Sequence, residues 1–152
     1  MAPVGSYESL RSAINARADA VYFGVEGLNM RSRSSVNFTL GDLRRIAAIC
    51  DENGVKSYLT VNTIIYDEDM EKMRAIIDAV ACSGISAIIA SDMAAILYAR
   101  SKGVEVHIST QLSVSNTETL RYYAQFADVV VLARELNLDQ VRGTHEAIIR
   151  DD

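Results

Sequence analysis

His107, Ser109 and Gln111 share one parity in the stretch VEVHISTQLSVSN (104–116), while Val106 and Ile108 share the other. A period of two puts the polar set on one face of a strand and the apolar pair on the opposite face. An imidazole that changes charge near neutral pH, a hydroxyl and an amide are thereby brought to the C-terminal end of one strand. Such a set can move a proton and hold a polar substrate. Neighbouring segments end in the same way: Tyr22 closes the polar line of DAVYFG (19–24) and Asn62 that of KSYLTVN (56–62). Asp92 follows the apolar run 85–90, and Arg134 and Glu135 follow DVVVLA (128–133). His107, Asp92 and Glu135 are the catalytic candidates. Tyr22, Asn62, Ser109 and Gln111 are candidates for holding substrate. Arg31, in a long loop with Asn29, Arg33 and several serines, and Arg134 could add bidentate contacts to a phosphate or carboxylate.

Each candidate also has a plainer structural role. A histidine on a strand can be satisfied by a neighbour, and Asp92, like Ser91, can cap the helix that follows. Ser109 carries no signature of an activated nucleophile: no GxSxG surrounds it, and the second histidine, His145, falls in the last helix. A serine-protease triad is therefore not expected. Neither HExxH nor CxxC occurs, so no metal site is predicted. Cys50 and Cys82 fall on the apolar stripes of different helices and are both expected to be buried thiols.

The elements that must position these groups alternate regularly. MAPVG (1–5) is too short for a full strand and reads as the end of one; Ser6 then caps a helix with Leu10, Ala13 and Ile14 on one face. Thr39 with Asp42 opens a helix over Leu43, Ile46 and Ile49 that Gly54 stops, and residues 67–83 form a helix striped by Met70, Met73, Ile77 and Val80. A further helix runs to Arg100 before Gly103, Asn116 caps one with Leu120 and Tyr123 inward, and Asn137 with Gln140 starts the last. Six strand–helix units without a hairpin signal mean a parallel sheet. A complete eight-unit barrel takes about 250 residues, so 152 residues predict a single α/β domain over 1–152, an incomplete TIM-like (β/α) barrel. The alternative is a doubly wound parallel sheet, disfavoured because polar residues line several strands and no GxGxxG or P-loop occurs.

The net charge of −5 argues against wholesale wrapping of nucleic acid. No apolar run approaches the roughly 20 residues needed to cross a bilayer, and no signal peptide precedes the first structured segment. A cytoplasmic protein with no membrane partner is the expectation.

Taken in order, APVGSYESLRSAI, ADAVYFG, LNMRSRSSVNFT, LTVNT, HISTQLSVSN and LAREL resemble the N-terminal barrel portion of the collagenase-like, U-type peptidase family. The resemblance covers essentially the whole chain. It implies a TIM-like barrel, peptidase kinship, and relatives that take part in hydroxylating ribosomal RNA, transfer RNA or ubiquinone precursors. Some members carry an iron–sulfur cluster, whose cysteines lie downstream of the point matching Asp152. No cofactor is therefore expected within these residues, and an iron–sulfur cluster is expected only in a longer parent. The implied function is the N-terminal part of such an enzyme, binding peptide or RNA at the strand C-terminal rim and inactive alone; the alternative is a non-catalytic binding or scaffold segment. Where that family has a glycine after the first helix this chain has Arg17, so the left-handed turn expected there has no glycine to support it. An incomplete barrel leaves its outer strands unclosed, and DVVVLA is apolar and free of proline, so association of two copies through open sheet edges is expected.

Overall fold

The computed structural model describes residues 1–26, 28 and 38–151. Strands β1 (Ala2–Pro3), β2 (Ala20–Phe23), β3 (Lys56–Val61), β4 (Ala87–Ala90), β5 (Glu105–Ile108) and β6 (Val129–Val130) alternate with six helices. These are α1 (Tyr7–Asn15), α2 (Leu43–Glu52), α3 (Met70–Ala81), α4 (Met93–Ser101), α5 (Thr117–Ala124) and α6 (Leu138–Asp151). The sheet runs β1-β2-β3-β4-β5-β6, every neighbouring pair parallel. A doubly wound sheet reverses its strand order at a switch point. No reversal occurs here, so the winding is that of a (β/α) barrel and the doubly wound alternative is set aside. Among the described residues β1 pairs only with β2 and β6 only with β5.

Alternation decides which residues make the core. Val21, Phe23, Leu59, Val61, Ile88, Ala90, Val106 and Ile108 are all within 2% of full burial and form one cluster with Leu10, Leu43, Ile46, Met73, Ile77 and Ile96 from the helices. Helix starts follow the caps. Asn116 Oδ1 accepts from Thr119 N at 2.9 Å, Thr39 N donates to Asp42 Oδ2 at 2.8 Å, and Asn137 and Gln140 exchange two bonds of 2.9 Å. Each satisfies N–H groups that the first helical turn leaves unpaired.

Helices α2, α3 and α4 end at glycines with positive φ: Gly54 (66°), Gly84 (86°) and Gly103 (71°). Arg17 takes the equivalent place after α1 with φ 58°. The left-handed turn therefore forms without glycine. Its bonds, Arg17 N to Ile14 O (2.9 Å) and Ala18 N to Ala13 O (3.0 Å), satisfy the last carbonyls of α1 and offset a side-chain clash of about 1–2 kcal/mol.

Two expectations need correction. Cys50 is buried, and burial pushes its thiol pKa up, but Cys82 is exposed, because α3 ends at Ala81 and the next residue leaves the apolar stripe. The DVVVLA strand shrinks to Val129–Val130, and Val129 and Val131 are 42% and 37% exposed rather than buried on both faces. Among the described residues β6 pairs with β5 alone and packs against α5.

Residues Val25 and Phe38 form a parallel bridge at the base of the long β2–α2 loop. Phe38 packs edge-on against Phe23 and Tyr7, with centroids 5.4 and 5.3 Å away. The Tyr7 hydroxyl donates to Asp42 Oδ1 at 2.7 Å, tying α1 to the start of α2.

Candidate functional site

On the sheet face away from the helices, His107 is level with Ile89 on β4 and Val129 on β6, and Tyr58 on β3 is level with Tyr22 on β2. The His107 ring lies against Tyr58 with centroids 4.7 Å apart and planes tilted by 57°. Its Nε2 is 2.8 Å from Glu105 Oε1. His107 is buried, Tyr58 half-buried and Glu105 exposed. A carboxylate that holds one ring nitrogen fixes the orientation of the imidazole and leaves the other for proton transfer. Among the described residues Nδ1 makes no hydrogen bond. Thr60, on the same face, donates its hydroxyl hydrogen to Phe23 O at 3.0 Å. Glu105 and Tyr58 were missed as functional residues, although Glu105 lies two residues before His107 and so shares its face.

Beyond the strand ends the polar groups divide. Ser109 is buried, its Oγ accepting from Gln111 N at 3.3 Å and its N donating to Ala90 O at 2.8 Å. It caps a short 3-10 turn at Thr110–Leu112, on which Gln111 is exposed. Successive strand residues rise about 3.3 Å, which puts Ser109 about 7 Å beyond His107 along the same line. Asp92 caps α4: Oδ1 accepts from Ala94 N at 2.8 Å, and Oδ2 accepts from Ile65 N at 3.4 Å. Both carboxylate oxygens are thus engaged in positioning backbone, the plainer of its two expected roles.

Asn62 follows β3 directly, and its Oδ1 is buried without a hydrogen-bond partner among the described residues, as is Thr63 Oγ1. Tyr22 is half-buried on β2. Arg134 and Glu135 are exposed beyond β6 and make no hydrogen bond or ion pair among the described residues, so nothing draws them to His107. Arg31, with Asn29 and Arg33, lies outside the described residues. The structure therefore joins His107 to Glu105 and Tyr58, joins Ser109 to Gln111, and links Asp92 to the loop after Asn62.

Among the described residues no group of three or more His, Cys, Asp or Glu side chains could hold a metal ion. An iron–sulfur cluster is held by about four cysteine thiolates; this chain has 2, one buried on α2 and one exposed after α3. The residues present do not fit such a cluster.

Comparison with known proteins places this geometry in a family. The model of peptidase family U32 matches residues 5–150. A collagenase of Porphyromonas gingivalis is 68% identical over 152 residues, which is 100% of this chain and 37% of that protein. The 23S rRNA 5-hydroxycytidine synthase of Escherichia coli is 34% identical over 148 residues, covering 97% of this chain and 22% of the synthase. A U32 peptidase of known structure superposes with a TM-score of 0.76 over 95% of this chain and 63% of its own, at 14% identity, a likeness of fold. The chain thus spans little more than a third of the length of the collagenase it matches.

Proposed function

We propose, on the premise that this chain belongs to peptidase family U32, that it is the N-terminal part of a longer barrel enzyme whose substrate is a peptide bound at the C-terminal ends of the strands. The observation that carries this reading is the 68% identity, over every residue of the chain, to a protein named a collagenase. His107, oriented by Glu105, is the group that takes up or delivers a proton. Asn62, Ser109, Gln111 and Tyr22 hold the substrate, and Arg31 or Arg134 meets an anionic group such as a peptide carboxylate. We place the protein in the cytoplasm. No described helix is long and apolar enough to cross a membrane.

The test is peptide hydrolysis by the intact gene product that contains these residues, run beside iron and sulfide analysis. Loss of the proton-transfer group should lower kcat/KM of His107→Ala by about 10²-fold or more. A wild-type protein that cleaves no peptide, or a variant as fast as wild type, rejects the reading. The RNA-modifying relative at 34% identity favours a second reading, an RNA substrate. A modified nucleoside made by the intact protein, without peptide cleavage, would select it; the net charge of −5 weighs against extensive phosphate contact.

The outer edges of β1 and β6, which pair with no further strand among the described residues, support association of two copies of these 152 residues. Light scattering across a dilution series should show a mass above 16.7 kDa that grows with concentration. A constant monomer mass would reject association.

A further inference from the structure

The β3–α3 connection is turned inside out. Asn62 Oδ1 and Thr63 Oγ1 are buried without partners among the described residues, while Ile64 and Tyr66 stand 71% and 63% exposed. On the same rim the side-chain oxygens of Asp92 and Ser109 are engaged by backbone N–H groups. A segment that buries polar atoms unpaired and holds apolar ones in water departs from the pattern that stabilises the rest of the chain, and such departures cluster at functional sites. The segment is also held in place. Ile65 N donates to Asp92 Oδ2 at 3.4 Å, and Tyr66 N donates to Asp69 Oδ2 at 3.1 Å. Thr63 and Ile65 are half-buried, and Ile64 and Tyr66 alternate with them outward, the period of an extended chain.

Two large apolar side chains presented two residues apart match the side-chain spacing along one face of an extended peptide. Asp67 and Glu68 follow at once and are exposed. Their charge, on a protein of net charge −5, attracts basic side chains and repels phosphates. We propose that residues 62–68 form a docking strip for an extended peptide carrying apolar and basic side chains. Ile64 and Tyr66 receive the apolar groups and Asp67 and Glu68 the basic ones. The strip gives the peptide reading of the rim a substrate class and rests on that reading.

Fluorescence anisotropy of this 152-residue chain tests it, with a short labelled peptide alternating leucine and lysine, a matching peptide of leucine and glutamate, and an oligocytidine RNA as probes. Anchors at interface centres dominate affinity, so Ile64→Ala with Tyr66→Ala should weaken the lysine peptide at least about tenfold. Asp67→Asn with Glu68→Gln should weaken it about threefold or more, and the glutamate peptide should bind more weakly than the lysine peptide. Leu97→Ala, an exposed position on α4, should change nothing. All four substituted strip residues are exposed, so the fold tolerates these changes. No binding of the lysine peptide to wild type, equal binding of both peptides, undiminished binding to the apolar double variant, or preference for the RNA overturns the strip. Hydrolysis by the intact protein with an unchanged KM in the Ile64→Ala, Tyr66→Ala variant would overturn the strip while the peptidase reading stood. Binding lost in that variant, in a protein that cleaves nothing, would keep the strip and reject the peptidase reading.

Discussion

On the helix side of the sheet Val21, Leu59, Ile88, Val106 and Ile108 are fully buried, whereas on the other side Tyr22, Tyr58, Thr60 and Ile89 are half-buried and Val129 and Val131 are exposed. Adjacent residues on one strand therefore belong to different environments. The first face removes apolar area from water and holds the fold together. The second carries the Glu105–His107–Tyr58 contacts; it is buried at His107 and Ala87 but only half-covered at Tyr22, Tyr58, Thr60 and Ile89. Fully buried and half-buried side chains are separated by a single step along the chain, and substitutions one residue apart should have different consequences.

The largest contrast is expected within β4. Ile88→Ala removes a fully buried side chain from a core that collapses only in part, and should cost about 2–5 kcal/mol in urea denaturation. Ile89→Ala, on the half-buried face, should cost less than half as much. Equal losses would break the comparison.

A smaller effect sharpens it at α2, one of the helices covering the core face. The Thr39 backbone N–H, and after it the Tyr7 hydroxyl, hold the Asp42 carboxyl below its usual pKa. A folded pKa below the unfolded one contributes stability above the ordinary carboxylate range, which disappears as pH falls through the depressed value. Replacing the charged acceptor by a neutral amide in Asp42→Asn should cost about 1 kcal/mol at neutral pH. The gap from wild type should close on acidification. A gap that stays constant down to low pH would mean that the carboxylate charge contributes nothing.

The smallest effect has the opposite sign. Arg17 holds a left-handed conformation that Gly54, Gly84 and Gly103 adopt without a side chain. Arg17→Gly should stabilise the chain by about 0.5–1 kcal/mol, the relief of the clash less the added freedom of the unfolded glycine. A destabilised variant would show that the Arg17 side chain makes a compensating contribution in the folded state.

What could be read in advance was local. Strand parity at His107 and Ser109 against Val106 and Ile108, and the caps at Ser6, Asp92, Asn116 and Asn137, depend on Cβ direction and on N–H groups within about three residues, and both are written in a short window. The alternation of strands and helices implied a parallel sheet for the same reason. Only the tertiary structure decided the order β1 to β6 without reversal, because strand pairing joins residues far apart in the chain. It decided that His107 meets Tyr58 and that Cys82 and Val131 face outward. It also left Asn62 Oδ1 without a partner among the described residues. Each of these depends on which neighbour covers a side chain, and burial and hydrogen-bond satisfaction are settled by contacts between elements rather than by the residue's own window.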